Sequence, residues 1–232
     1  MKFLVLQHIA IEHPGIFRDF MKRDSIQIDT VELDEGEKIP DLKSYDAMIV
    51  MGGPMDTWQE EEHPWLKPEK DSIYKFVCEM KKPYLGLCLG AQLLGEVIGA
   101  KVKKMETPEI GALKINILDH KDIFKNMSNN INVLQWHSYE VVDLPLEANL
   151  LASSNECLVQ AFTFEKAFGL QFHVEQTQKT VSEWSCVPEY KSALEATLGI
   201  GALEKFENDI NNNLSDFNKN AEQIYQNFLQ VF

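Results

Sequence analysis

The sequence predicts an α/β fold: a doubly wound, mostly parallel sheet with helices on both faces, antiparallel additions and a C-terminal helix. Three observations predict it. Short apolar runs alternate with segments of helical spacing through the first hundred residues, the pattern of parallel strands joined by crossover helices. The second half changes to short β-like runs with little helix between them. From Leu203 onward, apolar residues return at steps of three and four.

Taken in order, residues 2–7 (KFLVLQ) read as a buried strand, residues 16–23 have helical spacing, and residues 26–33 alternate as a strand does. Residues 47–51 (AMIVM) form a third strand that ends in Gly52-Gly53-Pro54, before an acidic, turn-rich loop at 56–64. Residues 66–81 are helical in pattern. Residues 83–87 make a fourth strand, and 89–98 the helix after it. The β-like runs of the second half are 111–118, 131–136, 150–153, 158–164 and 168–172, added to the same sheet. Leu203, Phe206, Ile210, Leu214, Phe217, Ala221, Ile224, Phe228 and Val231 then mark one terminal helix or two. A break would fall at Asn211-Asn212-Asn213. With no repeat, low-complexity run or linker, residues 1–232 are expected to be one domain, with 203–232 as its helical tail.

Composition narrows the function. The 232 residues are 44% hydrophobic and 25% charged, which excludes wholesale disorder. Lys and Arg number 22 against 36 Asp and Glu, a net charge of −14. Such a chain lacks the basic face that nucleic acid or anionic membrane requires. The N-terminal MKFLVLQHIAIEH has no small-residue cleavage site and reads as a strand, not a signal peptide. No apolar stretch approaches the ~18 residues of a membrane span. The four cysteines, Cys78, Cys88, Cys157 and Cys186, form no CxxC pair, so reduced thiols in a cytoplasmic protein are expected.

Three segments carry chemistry. The first is residues 84–92, YLGLCLGAQ, where a strand runs through Gly86-Leu87-Cys88-Leu89-Gly90 into a helix. This is the G-x-nucleophile-x-G elbow with sulfur in place of hydroxyl. The nucleophile of such a turn is strained, and side chains two positions away would collide, so glycine is needed at 86 and 90. Cys88 then sits at a helix N-terminus, where the dipole and free N–H groups favour a thiolate. Alone, the segment could equally be a core cysteine between packing glycines. The second is Met51-Gly52-Gly53-Pro54 at a strand end. A glycine pair lets the backbone approach a ligand, and the N–H groups of Gly53 and Leu89 could form an oxyanion hole. Alone, it could be an ordinary turn. The third is residues 169–175, GLQFHVE. In an extended backbone His173 and Glu175 point to one side, so the carboxylate can hold one ring nitrogen while the other faces a thiol. Alone, it could be a strand-end histidine beside a surface glutamate.

Together, in this order and spacing, the GGP turn, the GLCLGAQ elbow and the QFHVE strand end resemble the three motifs of the class I glutamine amidotransferase family. The likeness is greatest to stand-alone members similar to the glutaminase domain of GMP synthase, and it runs from about Met1 to Phe232. It implies a flavodoxin-like fold and a Cys88–His173–Glu175 triad, with Gly53 and Leu89 as oxyanion donors. It implies that Gln92 helps hold a glutamine substrate, and that Gly52 and the segment Trp136-His137-Ser138-Tyr139 lie against it. Two departures stand out. Val174 replaces the usual proline between the histidine and the glutamate. Tyr139 stands where an aspartate is expected to pair with the substrate's α-ammonium, and Glu140 should point to the opposite face.

The implied substrate is glutamine or another γ-glutamyl compound, and no cofactor is needed. The chain has no GxxxxGK[ST] loop and is too short for a synthetase domain, so an ammonia acceptor would belong to a separate synthetase subunit. A γ-glutamyl peptide hydrolase on the same scaffold is the main alternative. A non-catalytic regulatory or binding subunit is the other, and the intact triad argues against it. His8 and His13 follow the first strand, where doubly wound sheets bind ligands. His63, His120 and the run Glu60-Glu61-Glu62 read as solvated loop residues. The histidines show no metal-ligand spacing, and Cys78, Cys157 and Cys186 read as packing thiols.

Overall fold

A computed structural model describes residues 1–184, 194–195 and 198–232. Among them, nine strands form one mixed sheet in the order β2-β1-β3-β4-β9-β8-β7-β5-β6. The parallel half is β1 (Lys2–Gln7), β2 (Gln27–Glu32), β3 (Ala47–Val50), β4 (Tyr84–Leu87) and β9 (Ala167–Leu170). The added half is antiparallel: β5 (Lys101–Ile117), β6 (Asn130–Val142), β7 (Asn149–Ser153) and β8 (Ala161–Phe164).

The parallel strands alternate their side chains between two cores, as period-two geometry requires. Phe3, Val5, Ile49 and Phe168 face α1 (Phe17–Arg23) and the terminal helix α5 (Ala202–Phe228). Leu4, Leu6, Met48, Val50 and Tyr84 face α2 (Leu66–Tyr74) and α3 (Leu89–Val97). Helices therefore cover both faces. A third cluster joins Leu134 of β6 and Trp184 of the short α4 (Thr180–Trp184) to Phe206, Ile210 and Phe217 of α5. No helix of the described residues is long and apolar enough to cross a membrane.

The structure corrects three expectations. α5 is one helix of 27 residues, unbroken at residues 211–213. Asparagine is a weak helix former, but the helical disfavour is well under about 1 kcal/mol per residue, and one bond within the helix and one tertiary bond at Asn213 offset it. Asn213 donates to the Asp209 carbonyl at 2.7 Å, and its Oδ1 accepts from Asn132. Further along, Asn227 donates to the carbonyls of Ile123 and Lys125. Secondly, β5 and β6 form a hairpin far longer than their apolar runs suggest. The first half of β5 is charged and largely exposed, so it carries no hydrophobic signal. Thirdly, helix α2 ends at Tyr74 and passes into a π-helical turn, Lys75–Glu79.

Chain order reverses at β1, with β2 on one side and β3 on the other. The crevice beyond the carboxyl ends of strands at such a switch point is where open α/β sheets bind ligands. β1, β3, β4 and β9 all deliver their C-terminal ends there.

Candidate active site

Cys88 caps α3 directly after β4, with φ 50° and ψ −104°, a strained conformation for a non-glycine residue. Its neighbours explain the glycines. A Cβ on Gly86 would lie 2.4 Å from the Gly90 carbonyl oxygen, and one on Gly90 would lie 2.2 Å from the Val50 carbonyl oxygen. Backbone bonds fix the turn: Cys88 N–H donates to Leu170 and Gly90 N–H to Met51. The thiol accepts a long bond from Gln171 Nε2 at 3.7 Å.

Beyond β9 the chain stays extended, and His173 exchanges both backbone bonds with Leu134 at 2.9 Å. His173 Nδ1 lies 2.6 Å from Glu175 Oε1, while Glu175 Oε2 accepts the Val174 N–H at 2.9 Å. The Glu175 carbonyl accepts the Ile16 N–H. The strand end is thus held from both sides, and Val174 packs its side chain into the core in place of a rigid proline. Both polar side chains are buried. Burial opposes a charged ring, but the Glu175 carboxylate, together with the hydrogen bond and charge of Cys88, holds His173 well above the ordinary histidine range.

Cys88 and His173 open into a cavity of about 280 Å³, lined also by Gly53, Leu89, Gln92, Trp136, His137, Ser138, Tyr139 and Trp184. Among the described residues, the N–H groups of Gly53 and Leu89 donate to no protein acceptor. Gly52 lies just behind. A Cβ there would sit 2.8 Å from Glu12 Oε2 and 3.0 Å from His173 Cε1. Gln92 reaches the cavity while its amide donates to the Tyr139 carbonyl and to Gln171 Oε1, both at 3.2 Å. Tyr139 packs edge-on against Trp58, and Trp136 against Trp184 and Phe206.

His137 has a second set of partners. Its Nδ1 lies 2.9 Å from the Tyr139 carbonyl and its Nε2 3.1 Å from Glu109 Oε2, which also accepts from Gln160. The donor atoms of Glu109, His137 and Cys157 lie within 4.8 Å of one another, a grouping that sequence spacing did not show. The Glu109 oxygen is already hydrogen-bonded, and burial, aided by Glu109 and Glu140, pushes the Cys157 thiol up and away from the thiolate a metal would need.

His8, His13, His63 and His120 lie outside the cavity lining. His8 is fully buried and contacts Gly52 and Glu69. His13 reaches Glu183 at 3.2 Å, outside the cavity lining. Glu60, Glu61 and Glu62 are exposed or nearly so. Cys78 is half-buried, and Cys186 lies outside the described residues. Sequence reasoning missed Glu12 and Asp56, acidic residues lining the cavity, and Glu69. A signal for Glu69 existed: it shares the buried face of α2 with Leu66 and Ile73.

Comparisons with known proteins show what the chain resembles. A family model described as glutamine amidotransferase class-I matches residues 14–183. A glutamine-hydrolysing GMP synthase subunit of Saccharolobus solfataricus is 37% identical over 139 residues, 59% of this chain and 71% of its own length. Its counterpart in Sulfurisphaera tokodaii is 36% identical over 144 residues, 60% of this chain and 73% of its own. A solved glutamine amidotransferase from Thermotoga maritima superposes with a TM-score of 0.89 at 28% identity, covering 99% of this chain and 98% of its own. Another from Methylobacillus flagellatus, 22% identical, shares the fold, with a TM-score of 0.87 over 100% of this chain and 95% of its own.

Proposed function

Because this chain belongs to the class I glutamine amidotransferase family, we propose that Cys88, His173 and Glu175 are its catalytic triad, hydrolysing the γ-carboxamide of glutamine and releasing ammonia. The observation that carries the assignment is the joining, in one cavity, of a strained helix-capping cysteine, a histidine hydrogen-bonded to a buried carboxylate, and two backbone N–H groups without protein acceptors.

The thiolate of Cys88 attacks the side-chain carbonyl carbon, and the oxyanion accepts from the N–H groups of Gly53 and Leu89. His173, held protonated by Glu175, gives its Nε2 proton to the leaving nitrogen as the C–N bond breaks. Ammonia leaves and a γ-glutamyl thioester remains. His173 then takes a proton from water, whose oxygen attacks the thioester, and glutamate departs as the thiolate is restored. Gly52 and Gln92 support the carboxamide end of the site, and Trp136, His137, Ser138 and Tyr139 form the wall against the rest of the substrate.

Tyr139 offers no charge to an α-ammonium, but Glu12 and Asp56 line the same cavity. Asp56, on the loop whose Trp58 packs against Tyr139, is the acid we assign to that role. We read residues 1–232 as one such domain, its helical tail included. The relatives named as subunits of glutamine-hydrolysing GMP synthase support a separate synthetase subunit as the acceptor of the ammonia.

The test follows ammonia and glutamate separately, with glutamine and with γ-glutamyl dipeptides. Equimolar ammonia and glutamate from glutamine, abolished by Cys88→Ser, is the expected result. Cleavage of dipeptides with glutamine untouched would replace this reading by a γ-glutamyl peptide hydrolase. No cleavage of either by the folded protein would leave a binding subunit.

A further inference from the structure

His8 is a histidine that the triad does not use, placed where it can govern the site. Both of its ring nitrogens are engaged. Nδ1 lies 2.8 Å from the Gly52 carbonyl oxygen and Nε2 lies 2.9 Å from Glu69 Oε1, with both side chains fully buried. A carbonyl only accepts, so Nδ1 carries a hydrogen and donates it. We propose that the His8–Glu69 pair is a positioning device that locks the Gly52–Gly53 peptide in the orientation that turns the Gly53 N–H into the oxyanion hole.

The argument is one of peptide geometry, and it rests on the triad reading above. In a trans peptide the C=O of one residue and the N–H of the next point in opposite directions. No cis bond is present among the described residues. Anchoring the Gly52 carbonyl on His8 therefore turns the Gly53 N–H away from His8, and Gly53 lines the cavity beside Cys88 and Leu89. Two adjacent glycines have no Cβ to resist rotation, so their own side chains do not hold this peptide plane. A flipped plane would present a carbonyl oxygen, not a donor, to the developing negative charge.

The anchor is itself held. The Trp65 ring stacks on His8 with centroids 5.4 Å apart, and Glu69 projects from the buried face of α2. The charged or titratable groups facing the ring are Glu69 and, more distantly, Glu12, and the Tyr84 hydroxyl lies in the field of Glu69. Burial opposes a charge on the ring, yet Glu69, the Gly52 carbonyl and Glu12 together raise His8 above its ordinary value. The other Glu69 oxygen has no hydrogen-bond partner among the described residues, so the pair is not a fully satisfied packing element. His8 does not line the cavity, so it acts through Gly52 and not on the substrate.

The experiment measures glutamine hydrolysis by His8→Leu, His8→Asn and wild type. Removing one oxyanion donor lowers turnover by about 100–1,000-fold, so H8L should lose kcat on that scale while KM for glutamine changes by less than about threefold. H8N places an amide N–H close to the Nδ1 position and should recover at least about tenfold of the loss. Alkylation of Cys88 by iodoacetamide, which forms no oxyanion, should proceed at the wild-type rate in H8L and so report an intact fold and nucleophile. Should H8L fold too poorly for kinetics, Glu69→Leu, which removes the acceptor that holds the ring, carries the same test with a smaller expected loss in kcat. An active wild type with H8L or E69L unchanged in kcat, or an H8N variant no better than H8L, overturns the positioning role alone. A wild type that releases no ammonia from glutamine overturns the functional reading instead.

Discussion

Glu175→Gln isolates the contribution of one carboxylate. Glu175 accepts two hydrogen bonds, from His173 Nδ1 at 2.6 Å and from the Val174 N–H at 2.9 Å. Glutamine has the same shape but only one acceptor, so one bond is lost whichever way the amide turns. If the oxygen stays on Val174, the NH₂ faces Nδ1 and forces the hydrogen onto Nε2, removing the base that must face Cys88. A bond to a charged group is worth about 1.5–3 kcal/mol, so kcat should fall roughly 10–150-fold. KM should change little, because Glu175 does not line the cavity.

The same substitution changes pH dependence with a definite sign. Glu175 is the chief influence raising His173, so its loss lowers that value. His173 must hold a proton to release ammonia, so the alkaline limb of kcat should move to lower pH. A raised histidine contributes stability that is full below the unfolded value of about 6.5 and is lost as pH rises through the folded value. The melting-temperature gap between wild type and E175Q should therefore be widest below about pH 6.5 and close at alkaline pH. Glutamate release between about pH 6 and 10, with thermal melts at the same points, is the assay. A folded variant with kcat within threefold of wild type and an unmoved alkaline limb refutes the reasoning.

Limiting iodoacetamide near neutral pH should label Cys88 far faster than Cys78 or Cys157, because burial raises both of those thiols and neither has a histidine partner in the elbow's geometry; peptide mapping showing equal labelling would contradict the nucleophile assignment. Asp56→Asn should raise KM for glutamine by about 10–150-fold, the worth of a charge-assisted bond to the α-ammonium, with a smaller change in kcat. An unchanged KM would remove Asp56 from that role.

What could be read from the sequence was local. The elbow shows because its two glycines answer clashes of a single tight turn, and β1, β3 and β4 show because buried strands are continuous apolar runs. The antiparallel half is harder, since β5 gains its first half from pairing with β6 and not from its own apolarity. The three asparagines at 211–213 mislead for the same reason: a propensity of tenths of a kcal/mol is set against a bond made to a residue 81 positions away. The His8–Glu69 pair spans 61 residues, and the grouping of Glu109, His137 and Cys157 draws on two strands and a loop. Neither leaves a spacing to detect.

The cover of the first strand bears on how the chain is made. One face of β1 lies under α5, with Phe228 edge-on to Phe3 at 6.2 Å and Phe232 stacked on it at 5.7 Å. These partners are more than two hundred residues apart. At a synthesis rate of about 5–20 residues per second, the first strand waits on the order of 10–45 s for its lid. During that interval only α1 covers the face that Phe3, Val5 and Ile49 present to α5, so this core is completed only when the terminal helix arrives.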